Sequence, residues 1–88
     1  MIHKSAIIDK SAKLDSNVNV GPFSIIGPEV EIESGTSIGS HVVIEGPTTI
    51  GKNNFVSTFN YIEENGQIGS SNILENITTF NLNDRNFF

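Results

Sequence analysis

A large aliphatic or aromatic side chain recurs at every sixth residue from Ile2 to Phe80. The series is Ile2, Ile8, Leu14, Val20, Ile26, Ile32, Ile38, Ile44, Ile50, Val56, Ile62, Ile68, Leu74 and Phe80. Ile, Leu, Val and Phe fill 28 of 88 positions, so fourteen consecutive hits arise by chance with a probability of roughly 10⁻⁷. Internal periodicity of this kind is the mark of a solenoid, in which each repeat buries its apolar face only against its neighbours.

The position two residues before each member is small or medium: Ala6, Ala12, Val18, Ser24, Val30, Thr36, Val42, Thr48, Asn54, Asn60, Gly66, Asn72 and Thr78. Residues two apart share one face of a strand, so each hexapeptide reads as a short strand with one small and one large inward residue, then a corner. Gly21, Gly27, Gly39, Gly51 and Gly69 directly follow the large residue, and Pro22 and Pro28 follow two of these glycines. Both residue types suit sharp turns, and the glycines are expected there for their backbone freedom. No window carries the 3.6-residue period of an amphipathic helix.

Three such corners close a triangular coil of eighteen residues, and residues eighteen apart then stack at about 4.8 Å. The expectation is an all-β fold, a parallel β-helix of four to five coils over residues 1–80, with 81–88 as a tail or cap. Asn54 and Asn72 fall in one inward column and are expected to form an asparagine ladder.

Outward residues are expected three and one before each large inward residue. The first face then carries Ser5 and Ile7, Phe23 and Ile25, His41 and Val43, Phe59 and Tyr61, Ile77 and Thr79. The second carries Lys13, Glu29, Glu31, Thr49, Asn65 and Gln67 among others, and is plainly solvated. The third carries Asn17 and Asn19, Gly35 and Ser37, Asn53 and Phe55, Ser71 and Ile73. An apolar wall outside a closed prism has no partner within the chain, and such walls mark association. Phe23, Ile25, His41, Val43, Phe59, Tyr61 and Ile77 are the candidate interface of a homo-oligomer, with Phe23 and Phe59 as anchors. Five strands of four residues span roughly 24 by 13 Å, which is small against the ~800 Å² per partner of a standard interface.

Composition removes several classes of function. The chain has no cysteine, so neither disulfides nor thiolate chemistry enter. Net charge is −5 without a basic cluster, which argues against nucleic acid or an anionic membrane as partner. No apolar run reaches the ~18 residues of a membrane span, and MIHKSAIIDK lacks a signal-peptide core, so a cytoplasmic location is expected. His3 and His41 are the only imidazoles, and His41 is the weak candidate for a general base. Glu29 with Glu31 and Glu63 with Glu64 read as solvated, and Lys52 is not the lysine of a phosphate loop, since Gly46 and Gly51 precede it but Asn53 follows where that motif needs Ser or Thr. No metal site and no cofactor is expected.

Beyond the bare repeat, the period and its Ile-Gly corners resemble those of the hexapeptide-repeat acyltransferases. Two runs, Val20-Gly21-Pro22-Phe23-Ser24-Ile25-Ile26-Gly27-Pro28 and Ser40 to Asn54, resemble the acyl-carrier-protein-dependent UDP-N-acetylglucosamine O-acyltransferases of lipid A biosynthesis. The likeness covers about residues 2–56 and extends to outward and turn positions. It implies a left-handed helix, a parallel homotrimer, and transfer of a hydroxyacyl chain from acyl carrier protein to a nucleotide sugar. After Val56 the pattern departs: Phe59-Asn60-Tyr61-Ile62 keeps the six-residue beat where the family inserts a substrate-holding loop. Thr79-Phe80-Asn81-Leu82 stands where the family has a substrate-contacting stretch, and no catalytic residue of the family maps onto this chain. The sequence is therefore expected to be a truncated or remnant acyltransferase-like β-helix, a non-catalytic trimeric scaffold or binding module. The alternative is a minimal acyltransferase, or a fragment of one.

Overall fold

A computed structural model describes residues 1–75. Twelve strands occur in chain order: β1 Ile7–Ile8, β2 Lys13–Leu14, β3 Asn19–Val20, β4 Ile25–Ile26, β5 Val30–Ile32, β6 Ser37–Ile38, β7 Val43–Ile44, β8 Thr48–Ile50, β9 Phe55–Val56, β10 Tyr61–Ile62, β11 Gln67–Ile68 and β12 Ile73–Leu74. They form three parallel sheets of four strands, in the orders β1-β4-β7-β10, β2-β5-β8-β11 and β3-β6-β9-β12. Every pairing joins residues eighteen apart, such as Ile7 with Ile25 and Phe55 with Ile73. The fold is the expected left-handed parallel β-helix, with about four coils among the described residues. We count coils upward from the N-terminus and call the sheets first, second and third in the order just given.

The inward large residues make the core. Val20, Ile26, Ile32, Ile38, Ile44, Ile50, Val56, Ile62 and Ile68 are all buried, while Ile8 and Leu14 are half-buried and Ile2 is exposed. The gradient follows from coil stacking, because side chains of the first coil have neighbours on one side only. Phe80, the last member of the series, and the 81–88 tail lie outside the described residues.

The smaller inward residues carry a second function that hydrophobic counting does not show. Ser24 donates its hydroxyl to the Gly39 carbonyl at 2.7 Å and accepts from the Val42 N–H at 3.0 Å. Thr36 repeats the arrangement beside the third sheet, donating to Gly51 O at 2.6 Å and accepting from Asn54 N at 3.1 Å. Asn54 continues it, donating Nδ2–H to Gly69 O at 2.6 Å and accepting from Asn72 N on Oδ1 at 2.8 Å. Asn54 and Asn72 do stack, but the bond runs from side chain to backbone instead of between two amide groups. Each polar group thus satisfies a donor and an acceptor that face it from the next coil, as a buried polar group must.

The corners require two corrections. From the second coil upward, the residue three before each large one is not an outward strand residue. Phe23, Glu29, Gly35, His41, Asn53, Phe59, Asn65 and Ser71 occupy the corner with φ between 57° and 82°. Their N–H groups point to the coil below: His41 N donates to Pro22 O, Phe59 N to Ser40 O and Asn53 N to Ser34 O. The left-handed conformation therefore belongs mainly to non-glycine residues.

The glycines after the large residue are needed for space. A Cβ on Gly21 would lie 2.8 Å from the Gly39 carbonyl carbon and oxygen, and one on Gly51 would lie 2.8 Å from Gly69 O. Neither glycine has a positive φ. Successive coils approach too closely there for any side chain.

Candidate functional site

The corner between the third and first sheets carries the chain's most conspicuous surface feature. Phe23, His41 and Phe59 follow β3, β6 and β9, and eighteen-residue stacking sets them one above another. The imidazole of His41 lies between the two phenyl rings, with centroids 5.2 Å from Phe23 and 4.9 Å from Phe59. Interplanar angles of 36° and 28° make this a tilted stack. Phe23 is 61 % exposed and Phe59 68 %. Because each sits at a left-handed corner, each ring projects from an edge of the prism and not from a flat face.

On one side of that edge the first sheet presents Ile7, Ile25, Val43 and Tyr61, of which Ile7 and Ile25 are exposed and the other two half-buried. On the other side the third sheet presents Phe55 and Ile73, which are register partners, and both are exposed. Apolar side chains are therefore exposed on both sheets that meet at this edge. The alternation of inward and outward residues shows Phe55 and Ile73, yet treating the three faces separately missed that they flank the same edge as Phe23 and Phe59. The signal was available: the corner column is shared by the two faces. Ile77, also expected on this surface, lies outside the described residues.

Polarity enters at one margin. The Tyr61 hydroxyl donates a hydrogen bond to the Glu45 carboxylate, and that bond, with desolvation and the negative charges of Glu45, Glu63 and Glu64, pushes the phenol up to about 12. His3 accepts on Nδ1 from the Ser5 N–H at 3.1 Å and lies 2.9 Å from its hydroxyl, at the foot of the same corner column.

The second sheet is different in kind. Lys13, Glu31, Thr49 and Gln67 point outward and are exposed. An open recess of about 290 Å³ lies between Pro47, Thr48 and Thr49 of one coil and Asn65, Gly66 and Gln67 of the next. The Thr48 hydroxyl, buried beneath it, is engaged with the Glu45 and Glu63 carbonyls at 2.5 and 3.3 Å.

General base catalysis on a hydroxyl needs an imidazole or carboxylate free to approach it, oriented by a further group. His41 has aromatic neighbours on both sides, and the corner column holds Ser5, Phe23 and Phe59 with it, none of them a carboxylate. Glu29, Glu31, Glu64 and Lys52 are exposed and belong to other corners and sheets. Among the described residues no three His, Asp or Glu side chains converge as a metal site, and no helix is long and apolar enough to cross a membrane.

Short strands recurring every six residues and stacked in three parallel sheets define the class: this is a β-helix of hexapeptide repeats, and residues 11–46 match the family model described as bacterial transferase hexapeptide (six repeats). The particular proteins it is similar to are acyl-[acyl-carrier-protein]–UDP-N-acetylglucosamine O-acyltransferases. The enzyme of Bartonella quintana (strain Toulouse) is 49 % identical over 37 residues, which are 42 % of this chain and 14 % of that protein. Its counterpart in Albidiferax ferrireducens is 63 % identical over 27 residues, 31 % of this chain and 10 % of the relative. Among solved structures, LpxA from Acinetobacter baumannii superposes with a TM-score of 0.65 at 39 % identity, covering 78 % of this chain and 34 % of that one. The matches thus span only a small part of each relative's length.

Proposed function

We propose that this chain is a homotrimeric β-helix module of the acyltransferase-like kind, a scaffold or binding unit that does not transfer acyl groups by itself. The observation that carries the reading is the exposed Phe23–His41–Phe59 stack, flanked by Ile7 and Ile25 on the first sheet. An apolar surface of this extent on a small prism favours burial against a like surface, and closed cyclic symmetry is the usual result for identical chains. Trimer and cytoplasmic location are what the likeness to the acyltransferases implies for this chain.

Sedimentation velocity tests the assembly. The wild-type protein should sediment as a trimer, Phe59→Asp should shift it toward monomer, and Gln67→Asp on the second sheet should leave it unchanged. A wild-type monomer at high micromolar concentration would remove the proposal.

The likeness to LpxA over 78 % of the chain favours a second reading, acyl transfer from acyl carrier protein to a nucleotide sugar. An assay with an acyl carrier protein donor and UDP-N-acetylglucosamine separates the two. Turnover by the purified chain, lost in His41→Ala while the oligomer persists, would establish the enzyme.

A further inference from the structure

Resting on that reading of the apolar edge as a self-association surface, we infer that His41 makes the association pH-dependent, loosening it on acidification. The position of the imidazole carries the argument. It lies within the stack, 5.2 and 4.9 Å from two exposed phenyl rings, on a surface otherwise built from Ile7, Ile25, Val43, Phe55 and Ile73. Histidine is the side chain whose charge changes most readily between about pH 5 and 8.

Hydration separates the two states. The Phe23 and Phe59 rings flank His41 in both, so their cation–π attraction does not distinguish them, whereas in the separated chain the imidazolium keeps access to water. In the assembly the same charge must be withdrawn from water into an apolar contact, and a buried charge without a counter-ion is costly. Protonation therefore favours the separated state, and by linkage association favours neutral His41.

The surroundings hold little that offsets this. In the corner column Ser5, Phe23 and Phe59 carry no charge, and from the third sheet Asn19, Ser37 and Phe55 carry none. From the first sheet the titratable neighbour is Tyr61, whose hydroxyl is engaged by Glu45, with Glu63 and Glu64 close to it. His3 stands at the foot of the column, bonded to Ser5. A carboxylate from a second copy would be needed to hold the imidazolium, and the outward positions of the two apolar faces supply none.

Sedimentation velocity of the wild type, His41→Phe and His3→Gln from about pH 8 to about pH 5.5 tests the inference, a range that brackets imidazole titration and stays above most carboxylates. His41→Phe continues the stack without a titratable group. The expected result is an apparent dissociation constant rising about tenfold or more in the wild type and in His3→Gln, and flat in His41→Phe. Assembly that is equally strong at both ends of the range in the wild type would overturn the switch and leave the association intact. An unchanged pH response in His41→Phe would likewise overturn it. A wild-type chain that is monomeric even at about pH 8 would overturn the association and the switch with it.

Discussion

The Thr36 hydroxyl stands between two coils, 2.6 Å from the Gly51 carbonyl it donates to and 3.1 Å from the Asn54 N–H it accepts. Thr36 is fully buried, so both partners depend on it and water cannot substitute. Thr36→Val keeps the shape of the side chain and leaves two buried backbone groups unsatisfied, at about 1–3 kcal/mol for such a loss. Urea unfolding should show that decrease, while Thr49→Val on the solvated second sheet stays within about 0.5 kcal/mol of wild type. Equal effects at the two sites would mean that the inter-coil bonds add nothing to stability.

Gly51 and Gly66 should respond in opposite ways to the same substitution. A methyl group on Gly51 meets the Gly69 carbonyl oxygen at 2.8 Å, a contact with backbone that cannot step aside. One on Gly66 finds its nearest neighbour, Glu63 O, at 3.4 Å, in an inward column already occupied by Ala12, Val30 and Thr48. Gly51→Ala should cost about 1–3 kcal/mol as overpacking does. Gly66→Ala should be neutral or add up to about 1 kcal/mol by restricting the unfolded chain. Thermal unfolding of both variants gives the comparison directly.

Phe59 offers a way to separate folding from assembly. Its φ of 63° lies in the left-handed region, which is unfavourable by roughly 1–2 kcal/mol for a residue with a Cβ and less so for asparagine. With its ring mostly exposed, little burial is lost on removal. Phe59→Asn should therefore hold or raise the unfolding midpoint at low protein concentration, where association does not contribute. At high concentration it should weaken the oligomer. A variant that loses stability at low concentration would show that the ring supports its own coil.

Tyr61 reports on the margin of the same surface. It is the sole tyrosine and the chain has no tryptophan, so tyrosinate absorbance follows one group. Its hydrogen bond to Glu45 and the nearby carboxylates favour the neutral phenol in the fold, lifting it from 10.0 to about 12. The folded protein then binds more protons than the unfolded chain across that interval. The stabilisation is fully present below pH 10.0 and is lost as pH rises through about 12. Glu45→Ala should move the absorbance midpoint back toward the ordinary tyrosine value. A midpoint unmoved by that change would show that Glu45 is not the partner.

How much of this was legible in the chain follows from what a repeat can encode. The six-residue recurrence from Ile2 to Leu74 determined the strands, the eighteen-residue register and the inward columns, because side-chain alternation and coil closure leave one consistent solution. It also named Phe23, His41 and Phe59 as outward residues, and the glycines as corner residues. What it did not contain was the direction each corner takes. Only the stacked coils decided that Phe23, His41 and Phe59 adopt positive φ, since that conformation turns each N–H toward an acceptor in the coil beneath. Only the stacking gave Gly21 and Gly51 their reason, a backbone in the next coil so close that an added Cβ would meet it at 2.8 Å, which no residue senses along its own strand. The placing of Phe55 and Ile73 on the sheet beside the aromatic column belongs to the same category. Which faces meet at an edge is a property of three sheets closing on one another, whereas a sequence period reports each residue's own orientation and nothing about the face beside it.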